Sequence, residues 1–215
     1  MGQREARRGL VILVNVVKVL KQKNIKPCML MAVDASSTAI AIAIFQQTPS
    51  QTFLKETAKI RLEKLPMNTK MHIISKFFAN FFDKYQIDYV FVEQPIYIQN
   101  PATSRVLSQI SGHVIGTSLL YCDNVYEVTI ANWKSFIGYK NVSKAEKDAW
   151  TLEFGEKESK KMAALERKQR TINIVHNKIS GVDHVNDNDI CDAIGIGLYS
   201  LNLVNKEELD GSGAV

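Results

Sequence analysis

Residues 28–45 read Cys28-Met29-Leu30-Met31-Ala32-Val33-Asp34-Ala35-Ser36-Ser37-Thr38-Ala39-Ile40-Ala41-Ile42-Ala43-Ile44-Phe45, an apolar stretch interrupted by one carboxylate, Asp34. Residues 29–33 are long and apolar enough for a strand buried on both faces, which puts Asp34 at its carboxyl end. Ser36, Ser37 and Thr38 predict a tight turn, because small hydroxyl side chains bond their own backbone there. In residues 38–45 isoleucines alternate with alanines, giving a second strand with one bulky face and one close-packing face. The stretch therefore predicts a buried hairpin with a lone acid at its mouth. An acid beside a core is unfavourable unless it is exposed, hydrogen-bonded in the turn or paired with a cation, so Asp34 reads either as a turn residue or as a functional group.

A chain of 215 residues suffices for one domain with a full core, and its charged and apolar fractions are those of an ordinary folded protein. The formal charge of +5 and the pI near 9.0 favour polyanionic partners. Three widely spaced cysteines, Cys28, Cys122 and Cys191, argue against a disulfide framework and a zinc cluster, and fit a reducing compartment. Arg4, Arg7 and Arg8 ahead of an apolar run at 10–14 imitate a secretory signal. Asn15 and Lys18 break that run, and it is too short to span a bilayer. The expectation is no membrane association and a cytoplasmic location, that of a phage-infected host included, with an organellar matrix as the alternative. Residues 1–28 then form an N-terminal extension, a helix or strand added before the core.

Further along, residues 52–62 can supply a third strand, whose polar content suggests a sheet edge. Pro66 breaks the chain, and Asn68 or Thr69 could cap a helix running to about Tyr85 with an apolar face of Met71, Ile74, Phe78 and Phe81 or Phe82. Tyr89-Val90-Phe91-Val92 is a short apolar strand that ends in Glu93, Gln94 and Pro95, so a second acid sits at a strand end. Residues 102–121 read as a helix with a small-residue face, which suits either packing within the chain or a dimer seam. Residues 125–129 give a fifth strand, and 132–137 a short helix ending at Gly138. The tract 140–178 holds ten Lys or Arg against six Asp or Glu, so most of the positive excess lies there, as a solvated face or a nucleic-acid contact. Residues 206–215 read as a frayed tail.

The last organised segment, Asp187-Asn188-Asp189-Ile190-Cys191-Asp192, opens an apolar helix, with Asp189 and Asp192 on one face. Capping accounts for Asp187 and can account for Asp189; it explains Asp192 poorly. Asp34, Glu93, Asp189 and Asp192 each stand where apolar structure ends, with no matching set of buried cations visible in the sequence. Acids converging in that way repel unless divalent ions sit between them, and oxygen ligands without a His or Cys cluster select magnesium or manganese over zinc. Two such ions are an arrangement that hydrolyses phosphodiesters.

The order of these elements resembles the RuvC-type Holliday junction resolvases of the RNase H-like superfamily, from about Met29 to Leu203. Val33-Asp34-Ala35-Ser36-Ser37-Thr38 resembles the first metal-ligand strand of that family, Val92-Glu93-Gln94 its second acidic motif, and Asp189-Ile190-Cys191-Asp192-Ala193 its closing acidic pair. Residues 108–115 resemble the helix at the family's dimer interface. Asn132-Trp133-Lys134-Ser135-Phe136-Ile137-Gly138 resembles a segment carrying a basic residue near the scissile strand, here Lys134. Ala145-Glu146-Lys147 resembles the next basic position, filled by Lys147 or, in another alignment, Lys144. The resemblance implies an α/β fold of the RNase H-like kind: a five-stranded mixed sheet flanked by helices, in a nuclease domain over 29–205 with a charged helical insertion at 140–178. It also implies catalysis at Asp34, Glu93, Asp189 and Asp192 with two Mg2+, Mn2+ substituting, and a homodimer that nicks four-way DNA symmetrically. The tract between Lys147 and Asp189 is longer than in typical bacterial members, and residues 1–28 have no counterpart there. Two other readings follow from the same residues: a non-catalytic module binding branched nucleic acid, and a related nuclease acting on RNA/DNA hybrids or flaps.

Overall fold

The computed structural model describes residues 17–21, 25–96 and 100–206. The expectations for the rest of the N-terminal extension, and for the tail at 206–215 apart from helical Lys206, lie outside the described residues. Six strands, β1 (Val17–Lys21), β2 (Cys28–Ala35), β3 (Ala39–Gln47), β4 (Gln51–Arg61), β5 (Tyr89–Glu93) and β6 (Val125–Val128), form one mixed sheet in the order β1-β4-β3-β2-β5-β6. Strands β2 to β6 are the five-stranded mixed sheet expected from the sequence. β1 adds a sixth strand from the N-terminal extension and pairs antiparallel with β4. β4 is consequently an inner strand rather than the edge its polar residues suggested, and those residues are satisfied by partners instead. Buried Glu56 takes the Lys84 ammonium and the Tyr85 hydroxyl (2.7 Å), and Lys59 reaches two aspartates described below.

The β2–β3 hairpin forms as the alternation predicts. Ser36 closes its turn by accepting the Ala39 amide (3.0 Å). Ile40, Ile42 and Ile44 face one layer, formed by α1 (Met67–Lys84) and α2 (Pro101–Leu119). Ala41 and Ala43 face the other, where α6 (Asn188–Lys206) lies across the sheet. Close approach is enforced on two faces of α6. A Cβ on Gly197 would stand 2.1 Å from the Phe45 ring, and one on Gly195 would stand 2.8 Å from Trp133. A side chain at Gly197 would push α6 off the sheet, and one at Gly195 would push it away from the helix that carries Trp133.

Helix α1 starts two residues earlier than an Asn68 cap, or three earlier than a Thr69 cap, would place it. Pro66 occupies the N-cap position without a side-chain bond, and the Asn68 side chain accepts only from its neighbour Thr69. Proline is suited to a helix start because the amide it lacks would be unsatisfied there. Asn100 caps α2, and α3 (Ile130–Ile137) ends at left-handed Gly138 (φ 81°) as expected. The charged tract folds as a helical hairpin, α4 (Lys144–Phe154) and α5 (Glu156–Lys178), turning at Gly155 (φ 82°). Its stem is not solvated throughout: Thr171, Ile172 and Val175 are buried, and α5 packs against α6. Arg170 of α5 ties its arm to Glu146 of α4 and to the carbonyls of Lys140 and Asn141 just before it (3.0 Å each), and bonds Glu166 within its own helix (2.8 Å). The three cysteines are free and buried.

Candidate active site

Strand register brings the acids together. Leu30 and Ala32 of β2, and Tyr89 and Phe91 of β5, point into the core layer shared with α6. By the two-residue period Asp34 and Glu93 point the same way from the ends of those strands. The strands are parallel with Val33 opposite Val92, so Asp34 and Glu93 stand side by side one residue on. On the other side Asp34 pairs with Ala41, and Ala41 with Lys59 of β4. One row across the sheet thus reads Lys59, Ala41, Asp34, Glu93. The small Ala41 leaves space in the middle of the row, and the N-terminal end of α6 brings Asp189 and Asp192 to it.

Each acid is partly buried at the edge of the core. Burial pushes the Asp34 carboxyl well above the usual range; the carboxylates of Glu93, Asp192 and Asp189 raise it further, and Lys134 opposes them. Burial likewise lifts Glu93 to about 7, against the indole N–H of Trp133, which donates to its Oε2 at 2.7 Å. Asp192 is pushed up to about 6 by burial, while Lys134, Thr171 and Asn188 favour its charged form. The Asn188 amide donates to Asp192 Oδ2 at 2.9 Å, and Asp192 Oδ1 is buried with no hydrogen-bond partner. An unsatisfied carboxylate oxygen among other acids is unfavourable unless a cation approaches it.

Lys59 revises the expectation that no buried cation attends these acids. Its ammonium, with the side chain only 10% exposed, meets Asp187 Oδ2 and Asp189 Oδ2 at 2.7 Å each. Burial disfavours its charge, and the bonds to Asp187 and Asp189 outweigh that and hold the proton more firmly than usual. Asp187 also caps α6 as expected, accepting the amides of Asp189 (3.0 Å) and Ile190 (3.3 Å). Asp189 is therefore turned partly toward Lys59. Among the described residues no three His, Cys, Asp or Glu side chains already close around a point for a metal ion. The donor chemistry nevertheless fits a hard divalent cation: carboxylate oxygens, unneutralised at Asp34, Glu93 and Asp192, with one oxygen left unpaired.

Of the three lysines singled out from the sequence, Lys134 reaches this centre. It acts on Asp34, Glu93 and Asp192, with its ammonium 5.1 Å from the Trp133 ring and 4.9 Å from that of Tyr139. Lys144 and Lys147 are exposed in the first turns of α4 and exert no such influence. The sequence reading missed Lys59, Trp133, Asn188 and Thr171. Trp133 and Asn188 lie inside motifs that were read only for their charged neighbours, whereas Lys59 and Thr171 enter through register and helix packing.

Comparison with solved structures returns the same architecture. The RuvC of Thermus thermophilus in complex with a Holliday junction substrate superposes with a TM-score of 0.62 at 10% identity, covering 86% of this chain and 98% of that one. A second structure of that protein gives 0.59 at 11% identity over the same shares. The yeast mitochondrial Holliday junction resolvase gives 0.48 at 8% identity, covering 87% of this chain and 85% of that one. A comparison with curated proteins finds no match. The family model described as crossover junction endodeoxyribonuclease RuvC matches residues 30–152, which take in the hairpin with Asp34, the strand with Glu93 and the helix with Lys134. On that match the chain belongs to the RuvC family.

Proposed function

We propose that this protein is a divalent-metal-dependent endonuclease that resolves four-way DNA junctions by paired, symmetrical nicks. The observation that carries this reading is the set Asp34, Glu93 and Asp192, partly exposed, mutually repelling and left with the unpartnered Asp192 Oδ1. Asp34, Glu93, Asp192 and Asp189 would hold two Mg2+ ions, Asp189 while sharing its carboxylate with Lys59; Mn2+ would substitute. Bound there, the metals would supply an activated water and stabilisation of the leaving oxygen. The chain does the positioning. Trp133 fixes one oxygen of Glu93 and leaves the other free; Asn188 and Thr171 do the same for Asp192. Lys134, stacked beside Trp133 and Tyr139, is placed to contact the phosphate next to the bond that is cut. Lys144 and Lys147 serve binding further out.

Symmetrical nicking needs two such sites. The exposed row Ser108, Gly112, Gly116 and Leu120 on α2 is where a second copy would pack, since a Cβ on either glycine meets nothing within 4 Å. A compartment with reduced thiols, the cytoplasm, suits the three free cysteines.

The test is to incubate the protein with a four-way junction, a flap, a plain duplex and an RNA/DNA hybrid, with and without magnesium, and to map the nicks. Paired nicks at symmetrical positions on the junction, only with metal, are expected. Preferred cutting of the flap or hybrid would overturn junction resolution, and cutting in chelator would overturn the metal mechanism. Asp34→Asn and Asp192→Asn should each bind the junction normally yet cut it at least about 100-fold more slowly. Magnesium-dependent cutting retained by both would remove these residues from the site.

A further inference from the structure

Helix α5 carries a row of basic side chains that begins beside the acidic centre and leads away from it. Counting back from its buried end at intervals of three or four residues, one face reads Val175, Thr171, Lys168, Ala164, Lys161 and Lys157, with Arg167 and Lys160 flanking. The face changes character along its length. Val175 and Thr171 are buried in the layer against α6, and the Thr171 hydroxyl favours the charged form of Asp192. From Lys168 onward the same face is exposed and positive. Thr171 to Lys157 spans fourteen residues, about 21 Å of helix at 1.5 Å per residue.

Three features set this row apart from an ordinary solvated face. Lys157, Arg167 and Lys168 make no ion pair among the described residues, although Glu158 and Glu166 are near in sequence. Those two acids lie off the row, taken by Lys161 (2.8 Å) and Arg170; Glu156, at its far edge, takes Lys160 (2.7 Å). Exposed pairs of that kind contribute little and exchange readily for a phosphate. Second, the row is continuous with the cation at the acidic centre. Arg167 acts on the Tyr139 phenol, whose ring lies 4.9 Å from the Lys134 ammonium. Third, the row is held rigid, because Arg170 ties α5 to the start of α4 and the stem is packed on α6.

We propose that this face of α5 is a docking surface for the sugar-phosphate backbone of a duplex arm, leading from the acidic centre outward. It rests on the proposed function for its choice of DNA, and its charge is complementary to that partner. Phosphates recur every 3.4 Å along the axis of each strand, so about 21 Å of helix faces roughly six base pairs. The contacts are to backbone alone: lysines and an arginine on a straight exposed helix face position the arm without reading its sequence.

The experiment measures junction binding in chelator, where no cutting interferes, for the full-length protein from 0.05 to 0.3 M salt. Wild type is compared with the triple variant K157Q/R167Q/K168Q and with a control triple, K55Q/K64Q/K76Q, which removes equal charge elsewhere. The α5 triple should keep the thermal unfolding midpoint, since these side chains are exposed. Its log affinity should fall less steeply with log salt, by about 2 to 3 in slope, and its affinity should drop tenfold to a hundredfold near 0.15 M salt. The single variant K168Q should lose about one unit of slope. The control triple should stay within about threefold of wild type. Equal loss in the two triples, or none in either, overturns the docking surface while leaving the nuclease reading intact. Slope lost by the α5 triple, with no cutting of the junction by wild type in magnesium, supports the surface and overturns the proposed activity instead. Failure of wild type to bind the junction overturns both.

Discussion

The raised pKa of Glu93 makes the metal-free protein a proton-dependent structure, and the substitution Glu93→Gln isolates that dependence. With no metal, folded Glu93 keeps its proton up to about pH 7, while in the unfolded chain a glutamate has lost it above about 4.5. Between those values the folded state binds more protons than the unfolded one. Its stability is therefore fully present below the unfolded pKa and is lost as pH rises through the folded one. Integrating over that gap gives a loss of about 2.5 kcal/mol between pH 5 and 8, or roughly 5 to 10 °C in the melting midpoint of a chain this size. Glutamine still accepts the Trp133 N–H but does not titrate, so E93Q should show much less of this decline. Its benefit should exceed the single-site figure, because removing the charge also relieves Asp34. The assay is thermal unfolding of both proteins in chelator at four pH values, read as the difference between them so that other titrations cancel. Magnesium at pH 8 should then restore wild type and do little for E93Q. A flat difference between the two proteins from pH 5 to 8 would refute the account of Glu93 as a buried, repelled acid.

Trp133→Phe keeps the ring in its slot against Gly195 and removes the donor to Glu93. Half-saturation by magnesium in the cleavage assay, and manganese binding by the metal-free protein, should weaken about 10- to 100-fold, with junction affinity unchanged. Lys59→Met strips Asp187 and Asp189 of their cation at the start of α6, and should lower stability by about 3 kcal/mol in urea unfolding without metal, less so with magnesium. Ala41→Ile and Ala43→Ile both overpack the contact with α6 and should each lose about 1–3 kcal/mol, but only the first lies in the row of Asp34, so only it should also weaken metal binding measurably.

Much of this arrangement is legible in the sequence because it depends on short-range periodicity. The alternation at 39–45 sorts isoleucines to one layer and alanines to the other, and the same two-residue period aims Asp34 and Glu93 once their strands are found. What escapes is whatever depends on which strand lies beside which. The polar character of β4 reads as a sheet edge, since nothing local reveals that β1 covers it or that Glu56 and Lys59 are satisfied by α1 and α6. The capping box at Ser143 and Glu146 was within reach of the sequence but passed over, because the tract around it was read for charge alone.

Lys59 changes how the acidic centre is understood. With Lys59 between Asp187 and Asp189, the start of α6 is neutralised on one side and left electronegative on the other. The row across the sheet then has a polarity. At one end a lysine holds α6 to β4, and at the other Asp34, Glu93 and Asp192 face one another with Asp192 Oδ1 unpartnered. Ala41 on the strand between them keeps the two ends two interstrand spacings apart, about 10 Å. That division keeps the cluster of Asp34, Glu93 and Asp192 clear of the Lys59 bridges that hold the helix. It also makes the two acids of the Asp-x-x-Asp pair unequal: Asp189 is engaged by Lys59, while Asp192 keeps an unpartnered oxygen.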